Sequence, residues 1–262
     1  MTFLVFVCLI VNSQLEEALQ NNTFVVKCSI FIRVMKSKLV IAVDGPSGAG
    51  KSTVSKLLAG RLNYKYIDTG ALYRVVALKV KQSGVDPENK DDLNSLCNGL
   101  DVSFDQRNGQ FRICLEGRDV SEELRVPEMS LLASKVSAKK VVRDALLGIQ
   151  RKLGEEGGVV MEGRDIGTVV FPEAEIKFFL DASLEERGKR RFKQYLDKGQ
   201  VFDRNRITRE TEKRDANDSK RELSPLKSAG DAKVIDSTKM GIEEVVGEML
   251  KVIQQHLPSS SK

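Results

Sequence analysis

The sequence predicts an α/β fold, a parallel sheet covered by helices on both faces, with an inserted lobe that contains a small antiparallel sheet. Three observations point there. Short continuous apolar runs alternate with stretches whose apolar residues recur at helical spacing, the pattern of buried strands joined by crossover helices. A glycine-rich segment connects the first such run to the first helix. The rhythm then breaks once, mid-chain, where two alternating segments flank Asn108-Gly109, a hairpin turn signal.

Leu39 to Val43 is the first strand, and Val54, Leu57, Leu58 and Leu62 follow at helical intervals. Tyr64 to Asp68 reads as a second short strand and Ala71 to Lys81 as a helix. The hairpin pairs Leu100 to Asp105 with Gln110 to Glu116, placing Val102, Phe104, Phe111, Ile113 and Leu115 on one side. Helical periodicity resumes at Val142, Ala145, Leu146 and Ile149. Gly158 to Met161 and Ile176 to Leu180 are further core strands, and Leu184 to Lys198 is a very basic helix. Lys233 to Asp236 is the last strand, and Ile242, Val245, Val246, Met249, Leu250 and Ile253 mark a closing amphipathic helix.

Composition excludes several classes. With 41% hydrophobic and 30% charged residues in 262, the chain has neither a disordered nor a fibrous composition. Lys and Arg number 42 against 37 Asp and Glu, a charge of +5 that favours anionic ligands without the bias of a nucleic-acid arm. Cys8, Cys28, Cys97 and Cys114 form no C-x-x-C pair, so they read as free thiols in a reducing, cytoplasmic setting. A single histidine, His256, leaves no His-based triad or His-rich metal site.

The apolar run Phe3 to Val11 is too short to span a bilayer, and no basic segment precedes it as a signal peptide requires. Residues 1–34 are therefore expected to form an extension outside the core, with Met35 as the natural start. One domain is expected over 35–258 and a short tail over 259–262.

Gly45-Pro46-Ser47-Gly48-Ala49-Gly50-Lys51-Ser52 matches G-x-x-x-x-G-K-[ST] and lies between a buried strand and a helix, the context this phosphate-binding loop requires. Glycines at 45, 48 and 50 let successive N–H groups point inward, and the helix adds its positive end. Residues Gly45 to Thr53 are thus expected to cradle the phosphates of ATP. Lys51 would reach the β and γ phosphates, and the Ser52 hydroxyl would ligate Mg²⁺. Such P-loops serve many reactions, so the acceptor must be read elsewhere. The match of Asn89-Lys90-Asp91-Asp92 to a guanine-reading N-K-x-D motif has no strand leading into it and is set aside as chance.

Ile67-Asp68-Thr69-Gly70-Ala71-Leu72-Tyr73-Arg74 runs from a strand end into a helix, and Arg74, one turn inside, has a guanidinium suited to bidentate phosphate binding. Taken singly, Thr69 as a helix cap and Arg74 as a solvated surface charge are the readings that residue statistics favour over a binding role. Glu162-Gly163-Arg164-Asp165-Ile166-Gly167-Thr168 follows another strand, so an arginine and two carboxylates fall at the carboxyl edge where α/β ligands bind.

Together with K-F-F-L-D-A-S, K-R-D-A-N-D-S-K-R, S-P-L and V-I-D-S-T, these segments resemble the bacterial-type cytidylate kinases, in order from about Ile41 to Thr238. The resemblance implies a P-loop kinase that phosphorylates CMP, and also dCMP, from ATP with Mg²⁺. It implies that Arg74, Arg164 and Arg221 grip the acceptor phosphate, with Thr69, Tyr73 and Gly163 lining the same site. Ser134, Arg143 and Asp165 would read the cytosine edge, and Arg214 and Asp218 the ribose hydroxyls. Lys51, Arg164 and Arg221 would carry transition-state charge. Glu162 stands where the family often has Asp. The resemblance also interprets residues of about 71–154 as an inserted monophosphate-binding lobe between core segments 39–70 and 155–258, and the basic stretch of about 190–222 as a lid. Its other implications are a monomer, with no nucleic acid and no membrane as partner. Another small-molecule P-loop kinase, acting on AMP, UMP or shikimate, is the alternative within the enzyme class. An ATP-dependent nucleic-acid-binding module is the alternative outside it, but the interleaved aromatics of a single-strand reader are missing.

Overall fold

The continuous apolar runs of the sequence form the middle of a sheet, because only strands covered on both faces can bury every side chain. The structure, a computed structural model, describes residues 38–107, 110–197, 199 and 203–256. Residues 1–34, the Asn108-Gly109 turn and the 259–262 tail lie outside the described residues, and every element below belongs to the compact unit that begins at Leu39.

The chain opens with β1 (Val40–Asp44), α1 (Lys51–Leu62), β2 (Lys65–Asp68), α2 (Thr69–Ser83) and α3 (Lys90–Asn98). There follow β3 (Val102–Arg107), β4 (Gln110–Leu115), β5 (Arg118–Asp119), α4 (Pro127–Val136) and α5 (Lys140–Gly154). The last part holds β6 (Val159–Glu162), β7 (Ile176–Asp181), α6 (Leu184–Leu196), α7 (Arg204–Lys220), β8 (Lys233–Asp236) and α8 (Ile242–His256). The main sheet has the order β2-β6-β1-β7-β8 with every pairing parallel, and β3-β4-β5 form a separate antiparallel sheet. In that hairpin Val102 faces Leu115 and Phe104 faces Ile113, the register that the alternation predicts.

Alternation along β1 divides the core. Ile41 and Val43 pack with Val54 and Leu58 of α1 and with Val245, Val246, Met249 and Ile253 of α8, while Val40 and Ala42 pack with Val159, Met161, Ile166 and Val170 on the other face. A third apolar cluster joins α2, α3, α4 and α5, with Leu72, Val76, Leu93, Met129 and Leu146 nearly or wholly buried at its centre. The helix ends follow local chemistry. Asp68 caps α2 by accepting from the Ala71 N–H, and Asn89 caps α3 by accepting from Asp91 and Asp92, so the N-K-x-D match is a helix start. Among the described residues no helix is long and apolar enough to cross a membrane.

One side chain ties the sheet to the turn that matters most. Asp44, the last residue of β1, accepts the Ile166 N–H at 2.9 Å on one carboxylate oxygen and the Gly167 N–H at 2.8 Å on the other. These bonds hold the π-type turn Ile166–Val170 against the sheet edge, and with it Gly163, Arg164 and Asp165. Burial pushes the Asp44 carboxyl from the usual 3.8 up to about 6, despite the opposing pull of the two N–H groups.

Between about pH 4 and pH 6 the unfolded chain has lost this proton while the folded one keeps it, so the contribution to stability falls as pH rises, by about 3 kcal/mol in all. Asp44→Asn removes that slope, at the expense of one hydrogen bond. Urea unfolding of both proteins should therefore show the native protein's advantage over Asp44→Asn shrinking by about 3 kcal/mol from pH 4 to pH 7; a constant difference contradicts the account.

Candidate active site

A cavity of about 610 Å³ opens at the carboxyl ends of β1, β2 and β6. The physical reason is general to parallel sheets: strands end there together, and the loops that follow diverge toward opposite faces. Every acceptor-side residue expected from the sequence lines it, namely Thr69, Tyr73, Arg74, Ser134, Arg143, Gly163, Arg164, Asp165, Arg214, Asp218 and Arg221. On the donor side Ser47, Gly48, Gly50, Lys51, Ser52 and Thr53 line it as well.

Gly45, Pro46 and Ala49 do not, and each is occupied otherwise. A Cβ on Gly45, whose φ is +144°, would stand 2.0 Å from the Leu180 carbonyl oxygen, so this glycine packs against β7. The Pro46 carbonyl accepts from Lys51 Nζ at 2.7 Å, and Ala49 is buried in the core. Gly48, at φ +79°, brings the loop against α6, where a Cβ would meet the Arg187 carbonyl oxygen at 2.8 Å. The α1 helix starts at Lys51 with no side chain capping its first N–H groups, which leaves them for an anion. Burial pushes the Lys51 ammonium down to about 7, helped by Arg164 and Arg214 and opposed by Glu162 and Asp44.

Arginines crowd the other half. Arg164 Nε donates to Asp218 at 2.9 Å, and Arg74 donates to Asp68 at 2.7 Å, so Arg74 is held by its own helix cap and is not a freely solvated charge. Arg143 pairs with buried Asp165, donates to the Ser137 carbonyl at 3.0 Å and lies 5.5 Å from the centre of the Tyr73 ring. Among the described residues two buried arginine nitrogens of this site have no hydrogen-bond partner, Arg214 Nε and Arg221 Nη2, the latter 3.9 Å from the Asp165 carboxylate. Burial, followed by the neighbouring Arg164, lowers Arg214 to about 10, while burial and Arg143 lower Arg221. Asp218 is lowered as well: its burial would raise the carboxyl, but Arg164, Arg214 and Arg221 hold it below the usual carboxylate range. Thr69 does not cap α2; its hydroxyl donates to the Glu162 carbonyl at 2.8 Å and joins β6 to the helix start. Ser134 lines the cavity with its carbonyl engaged by the Ser137 hydroxyl at 2.9 Å. Glu162 accepts from the Tyr66 hydroxyl, and Ser52 bonds to both side chains. Burial and the Asp68 charge raise the Glu162 carboxyl.

Reading the sequence alone missed the supports of the glycine loop. Asp215 of α7 accepts the Ser47 N–H at 3.0 Å and pairs with Arg187, which in turn donates to the Ser47 carbonyl at 3.0 Å. Arg190 donates to the Ala49 carbonyl at 3.2 Å and Arg191 to the Ser47 hydroxyl at 3.0 Å. The available signal was spacing, because Arg187, Arg190 and Arg191 at i, i+3 and i+4 share one face of α6. Asp44 and Asp215 carry no comparable local signal.

Comparison with known proteins follows from this geometry. A family model described as Cytidylate kinase matches residues 41–255. The cytidylate kinase of Geobacter sulfurreducens is 50% identical over 217 residues, which span 83% of this chain and 93% of that protein. That of Syntrophotalea carbinolica is 50% identical over 84% of this chain and 94% of its own, and that of Pasteurella multocida 47% identical over 85% and 98%. A cavity built from a phosphate loop and a ring of arginines, within a sequence alike over nearly the whole length of these enzymes, leads to one conclusion: the chain belongs to the cytidylate kinase family.

Proposed function

We propose that the chain transfers the γ-phosphoryl group of ATP to CMP, and also to dCMP, by direct in-line displacement that yields ADP and the nucleoside diphosphate. The observation that carries this reading is the sharing of one cavity by Lys51, the uncapped start of α1 and two buried arginine donors without hydrogen bonds. Buried donors are nearly always satisfied within a protein. Arg214 Nε and Arg221 Nη2 are left for groups that a second, anionic ligand brings.

In this reading Gly45 to Thr53 hold the donor triphosphate, with Gly45, Pro46 and Ala49 shaping the loop from behind. Arg74, Arg164 and Arg221 hold the acceptor phosphate, beside Thr69, Tyr73 and Gly163. Ser134 and the Arg143–Asp165 pair read the cytosine edge, because an arginine and a carboxylate side by side offer both donors and acceptors to it. Arg214 and Asp218 bind the ribose hydroxyls. Transfer spreads negative charge over the equatorial oxygens, and Lys51, Arg164 and Arg221 stabilise that charge without any protein nucleophile. The lobe of about 71–154 and the lid of about 190–222 would close over both nucleotides and exclude water.

Magnesium fits the oxygen donors present. Ser52 would hold it, with the Glu162 carboxylate beside that hydroxyl. Among the described residues no group of three or more His, Cys, Asp or Glu could hold a metal, which suits an ion that arrives on phosphates with its own waters. The chemistry the ion would supply there is neutralisation of part of the phosphate charge. A monomeric enzyme belongs to the same reading, and the free thiols of Cys97 and Cys114 support a reducing, cytoplasmic setting for it.

A panel of acceptors offered with labelled ATP tests the reaction: transfer to CMP should be fastest, with dCMP next, and faster transfer to UMP, AMP or shikimate would overturn the reading. Arg143→Met and Asp165→Ala should each raise KM for CMP about tenfold or more while KM for ATP changes less than about threefold, since a lost charged hydrogen bond is worth about 1.5–3 kcal/mol. Equal losses for both nucleotides would remove these residues from base reading. At pH 8 the Lys51 amine is mostly neutral in the free enzyme, and a bound triphosphate restores its charge. Calorimetry in buffers of different ionisation enthalpy should then show ATP binding with uptake of up to about one proton at pH 8; no uptake would contradict the lowered pKa of Lys51.

A further inference from the structure

We propose that Ser224 is a positioning residue that clips the base-reading arginine to the phosphate-gripping arginine, so that cytosine recognition and acceptor-phosphate binding are set together. Its hydroxyl accepts from Arg143 Nε at 3.2 Å, and its carbonyl accepts from Arg221 Nε at 2.6 Å. Arg143 belongs to α5, and Arg221 ends α7. No other residue has both its hydroxyl and its carbonyl set between these two guanidinium groups among the hydrogen bonds of the described residues.

The two arginines need such a clip because they repel. Arg143 lowers the Arg221 pKa second only to burial, and both lie beside the same Asp165 carboxylate, Arg143 in direct contact and Arg221 at 3.9 Å. Asp218, 3.9 Å from Arg221, is itself shared with Arg164, so the carboxylates balance these cations only in part and neutral acceptors help to fix their orientation. Ser224 supplies one acceptor to each, through the Nε edge of each guanidinium, and leaves Arg221 Nη2 without a hydrogen-bond partner and able to meet a phosphate.

The backbone at this position strengthens the inference. Ser224 sits at φ +49°, in the left-handed region that glycine adopts freely and serine at a cost, and it precedes Pro225, which narrows its freedom further. A glycine would satisfy the backbone and still offer the carbonyl to Arg221. What serine adds is the hydroxyl, and the hydroxyl touches Arg143. The strain and the contact therefore occur at one residue for separate reasons, and they can be separated by substitution.

This inference rests on the assignment of Arg143 to the base and Arg221 to the acceptor phosphate, so the test carries an arm for that assignment. Ser224→Gly relieves the backbone and deletes the hydroxyl, and Ser224→Ala deletes the hydroxyl while keeping the strain. Ser224→Gly should leave the thermal midpoint unchanged or raise it, whereas a residue with a purely structural role would lower it. Both variants should raise KM for CMP about three- to tenfold, the range of one net hydrogen bond, change KM for ATP less than about twofold, and reduce the preference for CMP over UMP. Arg143→Met is measured alongside. If it raises KM for CMP while the Ser224 variants do not, the clip is wrong and the site assignment stands. If Arg143→Met leaves KM for CMP unchanged, the assignment fails and the proposal falls with it. A Ser224→Gly protein that loses stability and binds both nucleotides worse in equal measure likewise overturns the proposal.

Discussion

Gathering Lys51, Arg143, Arg164, Arg214 and Arg221 around one cavity sets cation against cation in a place with little water, and most of the local architecture exists to make that arrangement tolerable. The strain is visible in the pKa values: those of Lys51, Arg214 and Arg221 are all lowered, first by burial and then by neighbouring arginines. Carboxylates are interleaved to compensate. Asp165 stands beside Arg143 and Arg221, Asp218 beside Arg164 and Arg221, and Asp68 beside Arg74. The balance remains partial, and the nitrogens of Arg214 and Arg221 that lack hydrogen bonds mark where it is left open. In the proposed reading two bound nucleotides would supply the missing negative charge, and their binding would repay the cost of assembling the site.

That logic explains why supports reach so far from the cavity. A guanidinium acts on a phosphate only if its plane is held, and each plane is fixed through neighbours on other elements. Asp44 of β1 anchors the turn bearing Arg164 and Asp165 through two backbone bonds. Asp215 and Arg187 grip Ser47 from both sides, so α6 and α7 shape the glycine loop as well as covering it. The basic stretch therefore combines two tasks. Arg187 and Arg190 face inward and hold the loop's backbone, while Arg214 and Arg221 line the cavity. Closure of such a segment would act on the donor and acceptor sites together.

Much of this was legible from residue order, and the limits of legibility were physical. The strand around Ile176 appears where its apolar run places it, because a strand buried on both faces imposes its pattern on consecutive residues, while the edge strand at Lys233 to Asp236 appears where expected with only Ile235 buried. Helix limits drifted: α2 begins at Thr69, two residues before the apolar periodicity starts, since its first turn is set by the Asp68 cap. The glycine loop could be read whole because its chemistry is local, with strand, turn, lysine and hydroxyl all within a few residues. The acceptor residues could be grouped only through family resemblance, for they come from α2, α4, α5, the turn after β6, and α7 with the residue that follows it.

By itself the sequence determined the alternation of strands and helices, the phosphate loop and its lysine, and the hairpin register, since each depends on neighbours in the chain and on periodicity. Tertiary structure alone decided which carboxylate faces which arginine, that Thr69 bonds to β6 and does not cap its helix, and that Ser224 stands between Arg143 and Arg221. The physical reason is distance along the chain. Asp44 meets Ile166 across 122 residues and Ser47 meets Asp215 across 168, and a single side chain bonded to a remote backbone leaves no repeating pattern in the residues around it.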